Sequence, residues 1–306
     1  MAIKIRMHGC IALIAFFAGV ITTPAAAQDA VGVEKLTGTL QKIKSTKAIT
    51  IGFRDASVPF SYLNGRTSVG YSIDLCLEIV EDIRGELGDD TIQVKYVSVN
   101  PQNRIGLVVD GTVDLECGTT TNNAERRKQV AFSPITFVSG TKLLAKRSGN
   151  FKSYRDFKGR TVVVTEASTN EAALKALNAK ENLGINMMSV RDNAQAFEAV
   201  DAGKADAWAG DDVVLTATAV ESKRPRDYLV LGDFLSYDPY GIMYRKNDAE
   251  LDALVRHTFE RLAETRELAR IYEQWFMRKL PSGRTLGITM SPQLRQIFEA
   301  LGQPTE

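Results

Sequence analysis

Apolar positions along the chain switch between two spacings. Ala48-Ile49-Thr50-Ile51-Gly52-Phe53 is a short β-branched run that ends in the polar stretch Arg54 to Ser57, which predicts a buried strand. Thr161 to Thr165, closed by Glu166-Ala167-Ser168-Thr169-Asn170, repeats that design. Gln93 to Val99 predicts another strand, with Val94, Tyr96 and Val97 turned inward. Between these runs the spacing becomes helical. Helices are predicted over Val33–Ser45, from Gly70 with Leu75, Ile79 and Ile83 on one face, and from Asn103 through Ile105, Leu107, Val108 and Val109. The C-terminal part is helical too. Leu251, Leu254, Val255, Phe259 and Leu262 mark one helix, and Leu268, Ile271 and Tyr272 mark a second that ends at Trp275-Phe276. Pro281 breaks the pattern, and a last short helix is predicted over Pro292–Leu301.

A weak internal repeat organises these elements. Asp110-Gly111-Thr112-Val113-Asp114-Leu115-Glu116-Cys117-Gly118 resembles Ala202-Gly203-Lys204-Ala205-Asp206-Ala207-Trp208-Ala209-Gly210. Each copy follows an amphipathic helix and ends in a glycine followed by polar residues. Alternating strands and helices in both halves predict two α/β lobes with mainly parallel sheets. Ligands of such sheets bind beyond the carboxyl ends of the strands. The polar clusters there, Arg54 to Ser57, Thr119 to Thr121, Ser168 to Asn170 and Asp211, are therefore the candidate site residues, facing one another across a cleft that hinge closure would hide from water.

Composition narrows the function. The 306 residues are 44% hydrophobic and 25% charged, which suits about two globular domains. Lys+Arg number 38 and Asp+Glu 37, so there is no basic surplus for nucleic acid or an acidic membrane. The one long apolar run, Ile11 to Ile21, follows Lys4, Arg6 and His8 and precedes Pro24-Ala25-Ala26-Ala27. It is too short to span a bilayer and predicts an export signal cleaved after Ala27; Cys10 precedes the run, where a lipidated cysteine would follow it. Export places Cys76 and Cys117 in an oxidising compartment, where a bridge and two separate buried thiols are both open. Beyond the leader, His257 is the one histidine, on a predicted helix face turned to solvent. The zinc, P-loop, dinucleotide and serine-hydrolase signatures are absent, so no metal, cofactor or catalytic residue is expected.

Longer stretches carry a family resemblance. Ser57-Val58-Pro59-Phe60-Ser61-Tyr62, Val69-Gly70-Tyr71-Ser72-Ile73-Asp74, Gln102-Asn103-Arg104, Asp114 through Arg126, Ala131-Phe132-Ser133, Gly159 through Thr165, Asp211, Tyr240-Gly241 and Tyr272 through Phe276 occur in this order. Together they resemble the periplasmic solute-binding proteins of polar amino acid ABC transporters, and most of all their glutamate/aspartate-binding branch. The resemblance implies an α/β, two-lobed periplasmic-binding-protein fold of type II, with two crossing hinge strands and the ligand cleft between the lobes. Placed on this chain, the crossings lie at 136–140 and 236–240. Lobe one is then 28–135 with 241–306, and lobe two 141–235.

The resemblance also implies roles. Arg126 grips the α-carboxylate of an amino acid, where a planar guanidinium makes two parallel charge-assisted bonds; otherwise Arg126-Arg127-Lys128 is a solvated basic run. Thr119 and Thr121 offer N–H and hydroxyl groups to the same ligand. Ser168 and Thr169 start a lobe-two helix whose free N–H groups favour an anion, or simply cap it. Asp211 takes the α-ammonium, or caps the helix from Val213. Arg54 and Arg104 would read a side-chain carboxylate; the alternative is a pair of surface arginines. Three positions depart from the acidic branch: Pro101 and Thr119 each stand for a serine, and Asn193 for a histidine that meets the ligand. Ser57, in the polar stretch after the first strand, completes the candidate set. The expected partners are glutamate or aspartate and an inner-membrane permease, with no nucleic acid, and the chain is expected to act as a monomer. Three other functions are open: a binder of glutamine or asparagine, a soluble sensor that reports the amino acid to a membrane partner, and an exported enzyme such as a cyclohexadienyl or arogenate dehydratase using Glu166 or Glu116 as its acid.

Overall fold

A computed structural model of the chain describes Ala2 and residues 36–304. The expected leader, with Cys10, lies outside these residues, as does the segment at 33–35. From Leu36 onward the chain forms one unit. It opens with α1 (Gly38–Thr46), β1 (Ala48–Phe53) and a three-stranded meander of β2 (Ala56–Ser57), β3 (Ser61–Asn64) and β4 (Thr67–Val69). Then come α2 (Tyr71–Leu87), β5 (Gln93–Ser98), α3 (Arg104–Val109), β6 (Leu115–Glu116), β7 (Val130–Phe132) and β8 (Phe137–Ser139). The middle of the chain contributes β9 (Thr141–Lys146), β10 (Thr161–Thr165), α4 (Thr169–Glu181), β11 (Asn186–Val190), α5 (Asn193–Asp201), β12 (Ala207–Asp211), α6 (Asp212–Glu221) and β13 (Tyr228–Leu231). It ends with β14 (Asp238–Tyr240), β15 (Met243–Arg245), α7 (Ala249–Glu264), α8 (Glu267–Phe276) and α9 (Pro292–Ala300).

Two five-stranded sheets result, in the orders β5-β1-β6-β15-β7 and β11-β10-β12-β9-β13. In each, three parallel strands come from βα units, as the alternating pattern predicts. One strand in each sheet, β15 in the first and β9 in the second, runs opposite to the other four and makes antiparallel pairs on both its sides, so the sheets are mixed. The reason is connectivity: β9 and β15 enter their sheets directly from β8 and β14, with no crossover helix to reverse them. The strands β8 and β14 pair antiparallel, Phe137 opposite Tyr240 and Ser139 opposite Asp238, and the chain passes between the sheets there. Gly140 follows β8 because a Cβ there would lie 2.3 Å from the Ser236 carbonyl oxygen.

The internal repeat occupies equivalent places, β6 beside β1 and β12 beside β10. Its shared aspartate has a backbone task. Asp114 Oδ2 accepts from the Thr50 N–H at 2.9 Å, and Asp206 Oδ2 accepts from the Thr161 N–H at 3.0 Å. In return the N–H of each aspartate donates to the carbonyl of the same threonine. Each Gly-x-x-Asp thus fixes the register of a central strand near its start, where the ladder would otherwise leave an N–H unpaired.

Helical spacing is realised where the apolar stripe is widest. Leu75, Ile79 and Ile83 are buried on α2, and Leu251, Val255, Phe259 and Leu262 on α7. His257 is exposed on α7, as expected. The first helix starts at Gly38, where Glu250 and Asp248 accept from the N–H groups of Thr37 and Thr39. Tyr96 corrects the expected inward face of β5. This is an edge strand, Tyr96 is 42% exposed, and its ring packs edge-on against Phe53 at 6.3 Å. Cys76 and Cys117, both buried, form a disulfide that ties α2 to the turn after β6.

The hinge is anchored by rings. Phe137 on β8 and Tyr240 on β14 pack with Phe60 and Phe276, at centroid distances of 4.9 Å for Phe60–Phe137 and 5.1 Å for Phe137–Phe276. Burial of such a ring contributes roughly 1.5–3 kcal/mol, so this end of the hinge is bound firmly into the first lobe.

Candidate functional site

The carboxyl ends of the parallel strands of both sheets face one narrow pocket. From the first lobe, Arg54 follows β1, Pro101 and Arg104 lead into and open α3, and Thr119 follows β6. From the second, Thr165 ends β10, Ser168, Thr169 and Asn170 start α4, Asn193 starts α5 and Asp211 ends β12. Of the predicted site residues, the structure brings Arg54, Arg104, Thr119, Ser168, Thr169, Asn193 and Asp211 to the wall.

Ser57, Thr121 and Arg126 are buried but are not part of that wall. Ser57 Oγ accepts from Asn193 Nδ2 at 3.2 Å, so it holds a wall residue from behind. Thr121 donates its hydroxyl to Asp238 Oδ1 at 3.1 Å, while its carbonyl accepts from Arg126 Nη1 at 3.0 Å. The bland alternatives for the arginines are not what is observed. Arg54, Arg104 and Arg126 are 4%, 3% and 8% exposed, whereas Arg127 and Lys128 are the solvated members of their run. Ser168 caps α4, its Oγ accepting from the Glu171 N–H, and also lines the pocket, so both its readings hold. Asp211 precedes α6 but does not cap it; its Oδ1 accepts from Asn170 Nδ2 at 2.8 Å. Glu116 and Glu166 do not line the pocket.

Charge dominates the site. Burial, and then the neighbouring Arg104, lower the pKa of Arg54 to about 10 and that of Arg126 likewise to about 10. Both remain cations at neutral pH. Arg104 keeps Nε and Nη1 buried without a hydrogen-bond partner among the described residues. Burial, and then Asp238 on the hinge, push Asp211 up to about 6. The pocket therefore presents strong N–H donors on one side and a carboxylate on the other, the complement of a small zwitterion with further negative charge. Hydrogen bonds between the lobes cross the cleft beside it: one between the Thr121 and Thr169 hydroxyls at 3.3 Å, one from Asn193 to Ser57, and one from Gln102 Nε2 to the Glu166 carbonyl at 3.0 Å.

A larger groove lies elsewhere, between Phe137 of the hinge and the C-terminal segment around Ile288 and Leu294. It is mainly apolar and its one charged lining residue is the acidic Asp212, so it offers no cationic side chain to an anion. No group of three or more His, Cys, Asp or Glu residues suited to a metal occurs among the described residues. Sequence reasoning missed Thr165 and Val214, because a strand-terminal threonine and an aliphatic helix residue carry no local mark of a site.

The model of the bacterial extracellular solute-binding proteins, family 3, matches residues 49–278. The chain belongs to this family. A relative from Pseudomonas aeruginosa, an L-glutamate/L-aspartate-binding protein, is 42% identical over 276 residues, covering 89% of this chain and 90% of its own. A glutamate/aspartate import solute-binding protein of Salmonella typhimurium is 38% identical over 264 residues, covering 86% and 87%. The structure of an ABC transporter periplasmic binding protein from Brucella ovis with glutathione bound matches with a TM-score of 0.74 over 83% of this chain and 94% of its own; at 19% identity it speaks for the fold alone. The fold is thus the two-lobed periplasmic-binding-protein fold. Among the described residues no helix is long and apolar enough to cross a membrane.

Proposed function

We propose that this family member is exported, binds glutamate or aspartate between its lobes, and delivers it to an ABC permease of the inner membrane without chemical change. The observation that carries the reading is the convergence of buried Arg54 and Arg104 on one pocket wall, with Asp211 on the other and buried Arg126 close enough to Arg104 to feel its charge. Arg126 is assigned to the α-carboxylate, Asp211 to the α-ammonium, and Arg54 with Arg104 to the side-chain carboxylate. Thr119, Ser168 and Thr169 add hydroxyl and N–H donors, and Asn193 adds an amide where a titratable ring would make recognition depend on pH. The names of the two relatives agree with an acidic ligand. Lysine and arginine are excluded by like charge beside desolvated guanidinium groups.

Titration calorimetry on the chain without its leader tests this. Glutamate and aspartate should bind best, glutamine and asparagine more weakly, and lysine and arginine undetectably. Lysine binding as tight as that of glutamate would overturn it.

A further inference from the structure

Behind the arginines lies a carboxylate that the binding scheme leaves unused. Glu116 is the last residue of β6 and is completely buried. Its Oε2 accepts from Thr120 Oγ1 at 2.5 Å, but Oε1 has no hydrogen-bond partner among the described residues. The nearest cation is Arg104, whose Nη1 stands 3.9 Å from Oε1, too far for a hydrogen bond and close enough for a strong Coulomb interaction. The chain makes room for this oxygen: a Cβ at Gly118 would come within 2.3 Å of Oε1 and 3.0 Å of Arg54 Cγ. A buried carboxylate with one free oxygen costs free energy unless nearby charge compensates it, and here the compensating charges are the ligand-facing arginines.

The geometry points to Glu116 as a positioning and specificity-determining residue that cancels one of the three arginine charges, leaving two to match the two carboxylates of the ligand. This rests on the reading that the ligand is an acidic amino acid. With Glu116 present, the arginine side of the pocket carries net two positive charges and Asp211 answers the ammonium. Without it, the arginine side carries three, and dicarboxylates that lack an ammonium become competitive. Glu116 touches no ligand in this scheme. It acts through Arg104 and Arg54, and so sets which net ligand charge is preferred.

The test is a series of three ligands of one shape and rising negative charge: glutamine, glutamate and glutarate. Each is titrated into wild type and Glu116→Gln, in which the side chain keeps its size and can still accept from Thr120. Relative to wild type, the variant should favour each added negative ligand charge by about tenfold, glutarate gaining most and glutamine least, as expected for a charge several ångströms away in a medium of intermediate dielectric. A role limited to folding would shift all three affinities alike, and that parallel shift would overturn the inference. Should Glu116→Gln fail to fold, Glu116→Asp withdraws the carboxylate by one methylene and should give the same order with a smaller slope; a parallel shift there overturns it too. Wild type that binds no glutamate would instead overturn the functional reading, and the role of Glu116 with it, before any variant is measured.

Discussion

At the residue scale the three arginines divide the work, so their losses should be told apart by ligand. Arg126→Ala should weaken every amino acid alike, by at least about a hundredfold, because a desolvated carboxylate that loses its charged partner costs on the order of 3–5 kcal/mol. Arg54→Ala should spare glutamine within about tenfold while glutamate falls roughly a hundredfold, since only a charged side chain loses its partner. Calorimetry on both variants decides this, and equal losses for the two ligands in Arg54→Ala would sink the division. Asp211 gives a pH signature. Its carboxyl is raised to about 6 by burial and by Asp238, so protonation favours the empty folded state. That contribution to stability is complete below the ordinary carboxylate value and is lost as pH climbs through about 6. Binding an ammonium needs the anion, so affinity should have the opposite trend, rising by up to about tenfold per pH unit below that point and levelling off above it. Thermal melts of the empty protein and titrations between pH 4 and 8 check both signs; Asp211→Asn should flatten them. Much of this site was legible because a polar residue just past a buried strand has few structural reasons to be there. Arg54, Thr119, Ser168 and Asp211 were exposed to that logic. Glu116 was not: nothing along the chain marks it as a neighbour of Arg104, and only the third dimension brings the two together.

At the element scale, the helices were legible from their stripes, and the strands of the two sheets from short β-branched runs. What periodicity could not show was the pair of short crossing strands. With three residues each, β8 and β14 give no period, and their place came from resemblance alone. Tyr96 was misread because a β-branched and aromatic run looks alike whether its strand is central or at the edge, and β5 has a neighbour on one side only. The repeat marks equivalent places in the two sheets, and its aspartates pin strand starts. Asp114→Ala should therefore lower stability by about 1–3 kcal/mol, the cost of leaving the Thr50 N–H unpaired. It also releases Lys42, whose Nζ lies 2.7 Å from Oδ1. Asp206→Ala should cost less, because its carboxylate is about one-third exposed and water can replace it. Denaturant unfolding ranks the two, and a neutral Asp114→Ala would refute the register argument. The disulfide closes a segment with a sequence separation of 41. The chain-entropy model gives such a loop about 4 kcal/mol, so Cys76→Ala/Cys117→Ala should lose much of that in the same assay.

At the scale of the whole molecule, the lobes are joined by more than the two crossing strands. After α8 the chain leaves the first lobe and turns back through a bridge between Lys279 and Thr285. Within that turn Ser282 Oγ donates to Glu221 Oε1 at 2.7 Å, and Arg284 Nη1 donates to the Val220 carbonyl, both at the end of α6 in the second lobe. The segment then returns to the hinge, where α9 packs near β8 and Gln293 Nε2 donates to the Tyr237 hydroxyl at 2.8 Å. These contacts lie away from the ligand pocket, yet they tie the second lobe to a segment rooted in the first. If capture requires the lobes to close, each contact made in the arrangement seen here favours that arrangement. A two-state equilibrium then makes the apparent affinity scale with the fraction already closed. Ser282→Ala/Arg284→Ala removes two exposed or half-buried hydrogen bonds worth about 1 kcal/mol each at most. Glutamate affinity should therefore fall by up to about thirtyfold, aspartate should fall equally, and the pH dependence set by Asp211 should stay unchanged. Small-angle scattering supplies the second arm. Saturating glutamate should bring the radius of gyration of wild type and variant to one common value. The ligand-free variant should be more extended than ligand-free wild type. Equal radii without ligand, with affinity unaltered, would show that the turn at Ser282 follows the second lobe passively and that the crossing strands alone govern closure.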